Sequence, residues 1–322
     1  PVTLRRPQPG QPIEERELQA LLMRALRLTT NRLRGSSVPV SGAGQALRER
    51  RAGQTADWVL IDATTVTLTV DGKAVTDPVG FRGQEIGAAV FATLGRRATI
   101  DIWRKVAKAL DFSTLILTPA PLAQVVSLPE SRGILMDVGG DTTDLTLCQS
   151  GRPFALASAR AGGSALTRAL IHAWGLSPDS AERLKQAYAA GQLDATDKAR
   201  VWEVMVPALR NWLAELESAL ASLVLDRPLP SQLYLSGGGS GLPELVEAAQ
   251  SLVWSERLRF DRYPQVQRLR PTDVNGIVNR TDLGRCPGDV SAMALAAWVG
   301  RQSRPLDRPA YLLRELCREF VA

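Results

Sequence analysis

Two apolar segments that each end in consecutive glycines constrain the fold of this chain more than any other feature. They read ILMDVGGDTTD (Ile134–Asp144) and LYLSGGGSGLPEL (Leu233–Leu245). Glycine lacks a Cβ, so its backbone can adopt a positive φ and approach a ligand closely. Consecutive N–H groups in such turns form concave anion-binding surfaces, and a helix that follows strengthens them with its positive dipole end. Each segment alone is equally consistent with a structural turn, but the pair favours a two-sided site for a phosphate or a nucleoside.

Polar side chains accompany the first of these turns. Asp137 closes the preceding strand, where a carboxylate can hold Mg²⁺ through water, since magnesium retains several of its waters. Thr142 and Thr143 add hydroxyl donors for phosphate oxygens. The residues around the turn therefore suit a phosphate group that arrives with a metal ion.

The composition is that of an ordinary soluble globular protein, with 45% apolar and 22% charged residues. The 322 residues suffice for one large domain or for a few lobes. The net charge of +6 allows an anionic partner such as phosphate, an acidic protein or an anionic lipid. The basic residues are scattered, however, and the densest cluster, LRERRAG (Leu47–Gly53), is typical of a solvated loop, so we expect no nucleic-acid partner.

Cysteine and histidine usage argues against a disulfide framework and against a metal centre built on these residues. Cys148, Cys286 and Cys317 lie far apart without CxxC spacing, which indicates free thiols in a reducing compartment, and we expect a cytoplasmic protein. The single histidine, His172, lies in a helical segment and is interpreted as structural. No apolar run reaches the roughly 18 residues of a membrane span, and no signal peptide is visible.

The first third of the chain is typical of a small α+β module. A strand and a leucine-rich amphipathic helix precede two strands that turn at Asp71-Gly72. A further strand leads to the helix TIDIWRKVAKALDF, in which Ile102, Val106 and Leu110 share one face. The next segment, STLILTPAPLAQVV (113–126), predicts a strand that runs into a helix. A later amphipathic helix contains Pro207, which should kink or restart it.

Three motifs together resemble a known family. MDVGGDTTDLTL (Met136–Leu147) resembles the second phosphate motif of the actin/Hsp70 ATPase superfamily, and Leu233–Leu245 resembles its adenosine motif. Between them, SAERLKQAY (Ser180–Tyr188) is similar to the AE-x-x-K helix of that superfamily. Three further stretches are similar, in family order, to the bacterial cell-division family FtsA, and the pilus-assembly family PilM shares this layout and is the nearest alternative. These stretches are TDPVGFRGQEIG (Thr76–Gly87), LTPAPLAQVV (Leu117–Val126) and VMVPALRNWLAEL (Val204–Leu216).

The resemblance implies a two-lobed α/β fold of the actin-like, ribonuclease H type with an inserted SHS2-type α+β subdomain. Residues 1–112 would form that subdomain, called 1C. Residues 113–150 and 283–305 would form an incomplete first lobe (1A), and residues 151–282 the second lobe (2A with a reduced 2B). Residues 306–322 would form a C-terminal amphipathic helix.

The resemblance also implies a site for ATP and Mg²⁺. Asp137 would bind the metal and, as the catalytic residue, position the water that attacks the γ-phosphate; no strong general base is evident. Glu182 and Lys185 would reach the ribose and the base, although a plain i,i+3 surface pair is the alternative interpretation. The residues expected to bind the nucleotide are Gly139, Gly140, Asp141, Thr142, Thr143, Gly162, Gly163, Glu182, Lys185, Gly237, Gly238 and Gly239.

The chain departs from the FtsA pattern in three places. The first phosphate motif (D-x-G-T-S-like) and its strands are absent, so we expect them to precede Pro1 or to be supplied in another way. Asp141 stands where FtsA usually has a third glycine, and its carboxylate would repel the phosphates unless Mg²⁺ or a side-chain turn compensates it. The segment Gly191–Arg200 is too short for the strands of a full 2B subdomain.

The last segment, RPAYLLRELCREFVA (Arg308–Ala322), has one apolar and one charged helical face. FtsA ends in an amphipathic membrane-targeting helix, and this segment lies at the corresponding place. Its polar face is nearly neutral, however, whereas interfacial helices usually carry an excess of Lys and Arg. Packing onto the body, onto a partner and onto the inner face of the cell membrane therefore remain open, with the membrane favoured least.

The resulting functional hypothesis is an FtsA-like, ATP-binding protein of the bacterial cell-division machinery. Nucleotide state would control self-association and the recruitment of partners, namely the division tubulin (FtsZ-like) and other division proteins. Any ATPase activity would be slow. A non-hydrolysing scaffold on the same fold and a PilM-like pilus-assembly protein are the alternatives. A sugar kinase or an exopolyphosphatase on the same fold would need a catalytic acid or base in the missing first lobe, and the SHS2-type insertion argues against both.

Overall fold

The computed structural model describes residues 2–35, 57–223, 225, 227–251, 253–280, 284–302 and 306–321. The chain forms two compact units, one of residues Pro1–Pro119 and Ser303–Ala322 and the other of residues Ala120–Gln302. We refer to them as the first and the second unit. The basic cluster predicted as a loop at Leu47–Gly53 lies outside the described residues.

The first unit is built on a four-stranded antiparallel sheet with the strand order β1-β4-β2-β3. Asp71 (φ 47°) and Gly72 (φ 76°) form the turn between β2 and β3, which confirms the turn predicted from the sequence. The strands are β1 (Val2–Arg5), β2 (Trp58–Val70), β3 (Lys73–Val75) and β4 (Glu85–Arg96).

Two helices enclose the core of the first unit, α1 (Glu15–Gly35) and the C-terminal helix α9 (Arg308–Val321). Helix α9 packs against β2 and α1. The leucines of α1 recur at a helical period, which predicts one buried stripe, and the structure confirms it. The core residues contributed by the two helices are Leu18, Leu21, Leu22, Leu26, Leu312, Leu313, Leu316 and Cys317.

Helix α2 (Arg97–Ala109) follows β4 and presents most of its apolar side chains to solvent. Ile100 and Ala107 are buried, whereas Ile102, Val106 and Leu110 are exposed. The predicted helix is thus confirmed, but the shared apolar face lies outside the core.

The segment that follows α2 differs from the sequence prediction. Residues 113–119 contain no strand, although STLILT has strand-like composition. A strand requires a neighbour for its backbone hydrogen bonds, and no strand of the described chain pairs with this segment. The prediction was wrong because composition alone does not supply a pairing partner.

The second unit contains a five-stranded mixed sheet with the order β7-β6-β5-β8-β9. Strands β5, β6 and β7 form an antiparallel meander, while β8 lies parallel to β5 and β9 parallel to β8. The strands are β5 (Gly133–Val138), β6 (Thr143–Gln149), β7 (Arg152–Ala159), β8 (Gln232–Ser236) and β9 (Gln265–Arg268). The helices are α3 (Ala120–Val125), α4 (Gly163–Trp174), α5 (Pro178–Ala189), α6 (Ala195–Ala221), α7 (Pro243–Ser251) and α8 (Val290–Gln302).

Helices cover both faces of this sheet, so its central strands are buried on both sides. Ile134 and Met136 of β5 pack with α4, α5, α6 and α7, whereas Leu135 packs on the opposite face with α3 and α8. This alternation follows from the two-residue period of a strand. The sheet therefore offers its strand ends, rather than its faces, to a ligand.

Helix α6 runs through Pro207 as one element, so the predicted restart does not occur. Only residues 190–194 connect α5 to α6, and no strand lies between them in this described stretch, as the short Gly191–Arg200 segment predicted. The predicted 1C, 1A, 2A and 2B boundaries, including the SHS2 assignment, are finer than the observed two-unit division and stay predictions.

Two further sequence predictions concern thiols and membrane spans. Cys148, Cys286 and Cys317 are free, as predicted, and burial raises the pKa of the Cys148 thiol to about 11. Within the described chain, every helix is too short or too polar to cross a lipid bilayer.

Candidate functional site

Both glycine turns leave the same edge of the second unit's sheet. Strands β5 and β8 are parallel neighbours, and Asp137 pairs in register with Ser236. The turns that follow these residues therefore begin side by side at the carboxyl ends of the strands. In open α/β sheets this edge is where ligands bind.

The glycines of the second turn are needed for this close approach. Gly237 has a φ of 84°, and a Cβ there would collide with Asp137 Oδ1 and lie 2.6 Å from the carbonyl oxygen of Val138. A Cβ on Gly239 would lie 2.5 Å from Val138 Cγ1. Any larger residue at these positions would push the second turn away from the first.

The first turn is tied to the beginning of α4. Gly139 N–H donates to the carbonyl of Thr142 (2.9 Å), while the N–H groups of Gly163 and Ser164 donate to the carbonyls of Gly139 and Gly140 (2.9 and 2.8 Å). Because these N–H groups of α4 are already bonded, α4 stabilises the turn rather than offering a complete anion site itself.

A third glycine segment, Gly162 and Gly163, lies against the two glycine turns. A Cβ on Gly162 would approach the carbonyl oxygens of Gly139 and Gly140 to 2.5 and 2.6 Å. A Cβ on Gly163 would lie 3.8 Å from the Cα of Gly239. The structure thus brings together the three predicted glycine segments, residues 139–140, 162–163 and 237–239.

Asp137 lies at the centre of this edge with an amide and two hydroxyls beside it. Gln124 Nε2 donates to Asp137 Oδ2 (3.0 Å) and lies 2.5 Å from Ser291 Oγ. Burial raises the pKa of the Asp137 carboxyl; the Gln124 hydrogen bond opposes this rise, and the charge of Asp144 adds to it. The Ser236 hydroxyl is buried on the same edge and lies close enough to lower the pKa of the Asp137 carboxyl, but its oxygen makes no hydrogen bond of normal geometry to any described residue.

Sequence reasoning missed Gln124 and Ser291. They lie on α3 and α8, whose packing against each other brings them to Asp137, and no local motif records that packing. The available signal was a glutamine within the otherwise apolar stretch APLAQV. Its Oε1 is buried without a hydrogen-bond partner, an arrangement that usually has a structural or ligand-related cause.

The carboxylate of Asp141 is compensated by a neighbouring cation. Its Oδ1 lies 3.0 Å from Arg168 Nη1, and both side chains are exposed. The repulsion of phosphate expected at this position is therefore reduced by an ion pair that the sequence did not reveal. Arg168 is five residues beyond the start of α4, a spacing for which no motif exists.

The two threonines of the first turn differ in their availability. Thr143 Oγ1 is buried, donates to the carbonyl of Ala161 (2.8 Å) and accepts from Trp212 Nε1 (2.9 Å). Its hydroxyl hydrogen is thus committed to the fold. Of the predicted pair, Thr142 is the half-exposed residue at the turn.

Glu182 and Lys185 form more than an i,i+3 surface pair. Lys185 Nζ lies 2.8 Å from Glu182 Oε2, 2.9 Å from Thr167 Oγ1 and 3.2 Å from the carbonyl of Gly163. Although partial burial opposes it, hydrogen bonds from Lys185 and Thr167 lower the pKa of Glu182. The pair joins α5 to the glycine segment at the start of α4 and so borders the candidate site.

The amino-acid sequence of the chain is similar to that of one curated protein. The chain is 23% identical over 250 residues to the cell division protein FtsA of Neisseria meningitidis serogroup B, a match that covers 70% of this chain and 58% of that protein. The chain thus spans little more than half the length of the curated relative. No family model matches it.

A solved structure matches nearly the whole chain. The PilM-PilN type IV pilus biogenesis complex is similar at a TM-score of 0.56 and 18% identity, over 94% of this chain and 76% of that one. The chain has the fold of the actin/Hsp70-like ATPase superfamily. The predicted resemblance is therefore confirmed at the level of fold, and FtsA-like and PilM-like readings both fit.

Two more distant structures were also found. The ethanolamine utilization protein EutJ of Carboxydothermus hydrogenoformans is similar at a TM-score of 0.42 and 14% identity, over 86% of this chain and 98% of that one. MreB 5 of Spiroplasma citri bound to AMPPNP is similar at a TM-score of 0.45 and 12% identity, over 65% of this chain and 66% of that one. Both similarities lie below a TM-score of 0.5 and add nothing to the assignment.

Proposed function

We propose that this actin-like protein binds ATP and Mg²⁺ at the carboxyl edge of the second unit's sheet and acts as an FtsA-like component of the bacterial cell-division machinery. One observation carries the proposal: three glycine segments converge beside the half-buried carboxylate of Asp137. Their packing brings backbone N–H groups and Asp137 to one edge, as a phosphate that arrives with a metal ion requires.

The residues at this edge fit both the nucleotide and the metal. Magnesium prefers oxygen ligands, and the Asp137 carboxylate lies beside the unpartnered Gln124 Oε1 and the hydroxyls of Ser236 and Ser291. The described residues hold no cluster of three or more His, Cys, Asp or Glu side chains, so a metal would also need water and phosphate oxygens. Bound Mg²⁺ would neutralise charge on the phosphates.

The chain's own groups suit slow hydrolysis at most. Asp137 and Gln124 would orient a water through their oxygens, and Arg168 would keep the charge of Asp141 paired. A carboxylate is a weaker base than an imidazole even where burial raises its pKa, and the single histidine, His172, lies in the last turn of α4. Lys185 and Glu182 would contact the sugar and base from α5.

The proposed partners follow from the relative that carries the name cell division protein. They are the division tubulin, other division proteins and further copies of this chain, at the inner face of the cell membrane. The second candidate is a PilM-like role in pilus assembly, which is supported by a structural match over 94% of the chain. Pull-down with the C-terminal peptide of the division tubulin and with the N-terminal peptide of the pilus inner-membrane partner separates the two.

Calorimetric titration of the 322-residue chain with Mg·ATP tests the nucleotide proposal. A Cβ on Gly238 or Gly241 would meet no atom within 4 Å, so the backbone at both positions has room for a β-carbon. Gly238→Val would fill the cradle, and we expect a loss of affinity of at least about tenfold. A short 3₁₀ helix, Gly238–Gly241, forms the second turn, and Gly241→Val at its other end is the matched control, which should bind as the parent does.

The absence of binding by the parent chain at a dissociation constant below about 1 mM would contradict ATP binding and favour the non-hydrolysing scaffold. Equal affinities of the two valine variants would mean that ATP binds elsewhere. Phosphate release in the same samples then distinguishes a slow ATPase from a nucleotide-binding scaffold.

A further inference from the structure

Helix α2 carries a continuous apolar stripe that no described residue covers. Ile102, Val106 and Leu110 follow one another at i,i+4 spacing and are 59%, 40% and 60% exposed. Two aromatic side chains extend the stripe. Trp103 lies within the helix and is 51% exposed, and Phe112 lies just after the helix and is 64% exposed. Single exposed apolar residues are normal, but a contiguous apolar patch on a folded unit marks an interaction site.

The rest of α2 is strongly basic. Arg97, Arg104, Lys105 and Lys108 stand against Asp101, so four cations and one anion give the helix a net charge of +3. Arg97 pairs with Asp57 (2.7 Å) and Arg104 with Asp101 (3.1 Å).

Two lysines of α2 keep their charge available. Among the described residues, Lys105 and Lys108 make no ion pair, and both side chains are exposed. Lys105 is three residues from Ile102 and borders the apolar stripe, while Lys108, three residues further on, lies on the polar face that continues from Lys105.

This combination fits an anionic lipid surface better than a protein groove. Interfacial helices present Trp, Phe and Leu on one face and Lys and Arg on the other. Trp103 lies at the margin of the stripe, where an indole ring prefers the boundary between lipid and water. Long lysine side chains can lay their methylene groups along the apolar face and keep the ammonium at the headgroups.

We propose that α2 is a membrane-contacting surface of this protein, with its exposed stripe in the interfacial region of an anionic bilayer and Lys105 and Lys108 at the phosphates. The proposal does not depend on nucleotide binding or on the identity of the protein partners.

Vesicle co-sedimentation of the 322-residue chain tests it, with phosphatidylcholine vesicles compared with vesicles that contain roughly one-third phosphatidylserine. We expect sedimentation with the anionic vesicles, release as salt is raised, and little binding to phosphatidylcholine alone. Ile102→Glu/Leu110→Glu and Lys105→Glu/Lys108→Glu should each weaken binding by roughly tenfold or more. Because all four side chains are exposed, the thermal midpoints should match the parent's.

Matched controls change exposed residues of the same kind elsewhere. Val278→Glu alters a 77% exposed apolar residue of the second unit, and Lys73→Glu/Arg82→Glu reverses two exposed cations of the first. Controls that bind like the parent, with α2 variants that do not, support the proposal.

Three outcomes would overturn it. The parent chain could fail to sediment with anionic vesicles, or the α2 variants could sediment as the parent does. The apolar variant could instead change the mass of the protein in solution by sedimentation velocity while vesicle binding persists, which would assign the stripe to contact between copies of this chain.

Discussion

The two amphipathic helices α2 and α9 of the first unit differ in whether their apolar faces are buried. Helix α9 buries the described leucines of its apolar face, with Leu313 at 0% and Leu316 at 1% exposure, whereas α2 leaves Ile102 at 59% and Leu110 at 60%. Both segments show a clear apolar period in the sequence, and period alone does not say which face finds a neighbour. Helix α9 packs against β2 and α1, while α2 buries only Ile100 and Ala107.

The charge of the polar face separates the two helices as well. The segment Arg308–Ala322 carries three arginines and two glutamates, a net charge of +1, whereas Arg97–Ala109 carries +3. A buried apolar face has no need of a basic flank, but a lipid-binding face does. Charge excess is thus the better sequence signal for an exposed helix face, and it favours α2 over the C-terminal helix.

The largest expected effect comes from truncating a core residue of α9. Leu316→Ala should lower the free energy of unfolding of the first unit by about 2–5 kcal/mol, because it leaves a cavity among buried leucines. Ile102→Ala on α2 should change it by less than about 0.5 kcal/mol. Urea unfolding followed by circular dichroism, fitted with one transition for each unit, measures both; similar losses for the two variants would remove the contrast between the helices.

How far the sequence predicted the fold depends on the range of the contacts. The α1 stripe and the Asp71-Gly72 turn rest on neighbours within a few residues, and the structure confirms both. Strand propensity at 113–119 gave a wrong prediction, since tertiary context decides whether a strand finds a partner. Pro207 does not restart α6, while the alternative of a kink at this residue stays a prediction. The superfamily resemblance supplied the fold, while the SHS2 assignment and the subdomain boundaries stay predictions.

The residues of the candidate site also differ in how far the sequence predicted them. The meeting of the two glycine turns was predictable because the carboxyl ends of parallel strands share one edge. Gln124, Ser291 and Arg168 were not predictable, because each reaches the site through the packing of a helix rather than through a motif. Asp141 illustrates the consequence: its sequence position suggested repulsion of phosphate, and only the structure supplies the compensating guanidinium.

An intermediate effect is expected from ion pairs that differ in burial. Arg6 is 4% exposed, pairs with Glu17 (2.9 Å) on α1, and donates to the carbonyls of Gln11, Gly83 and Pro12. Arg6→Ala should cost about 2 kcal/mol, because it leaves buried acceptors unpaired. Arg97→Ala beside α2 removes an exposed pair with Asp57 and should cost less than about 1 kcal/mol. Equal costs, measured in the same urea experiment, would contradict the burial argument.

The Arg6 pair also predicts a pH dependence. The hydrogen bond from Arg6 lowers the pKa of the Glu17 carboxyl from its usual 4.5, so the pair stabilises the folded state above that pH. This contribution is lost as the pH falls through the lowered pKa of the folded state, because the unfolded chain takes up the proton first. The difference in stability between the parent and Arg6→Ala should therefore narrow below pH 4.5, and a constant difference down to pH 3 would assign the loss to packing alone.

The smallest expected effect concerns how each helix is attached. Arg308 at the start of α9 lies 3.6 Å from Glu15 and 3.3 Å from Asp77, so it joins three segments of the first unit. Among the described residues, Arg104 of α2 pairs only with Asp101 of its own helix. All these groups are about one-third exposed or more, and solvent screens them.

We expect Arg308→Ala to lower the free energy of unfolding by about 0.5 kcal/mol and Arg104→Ala by less. Amide hydrogen exchange should show faster opening of α9 in the first variant and no change in α9 in the second. If Arg104→Ala accelerated exchange in α9 equally, the attachment of α9 would not depend on its own ion pairs, and leucine burial alone would have to account for its position.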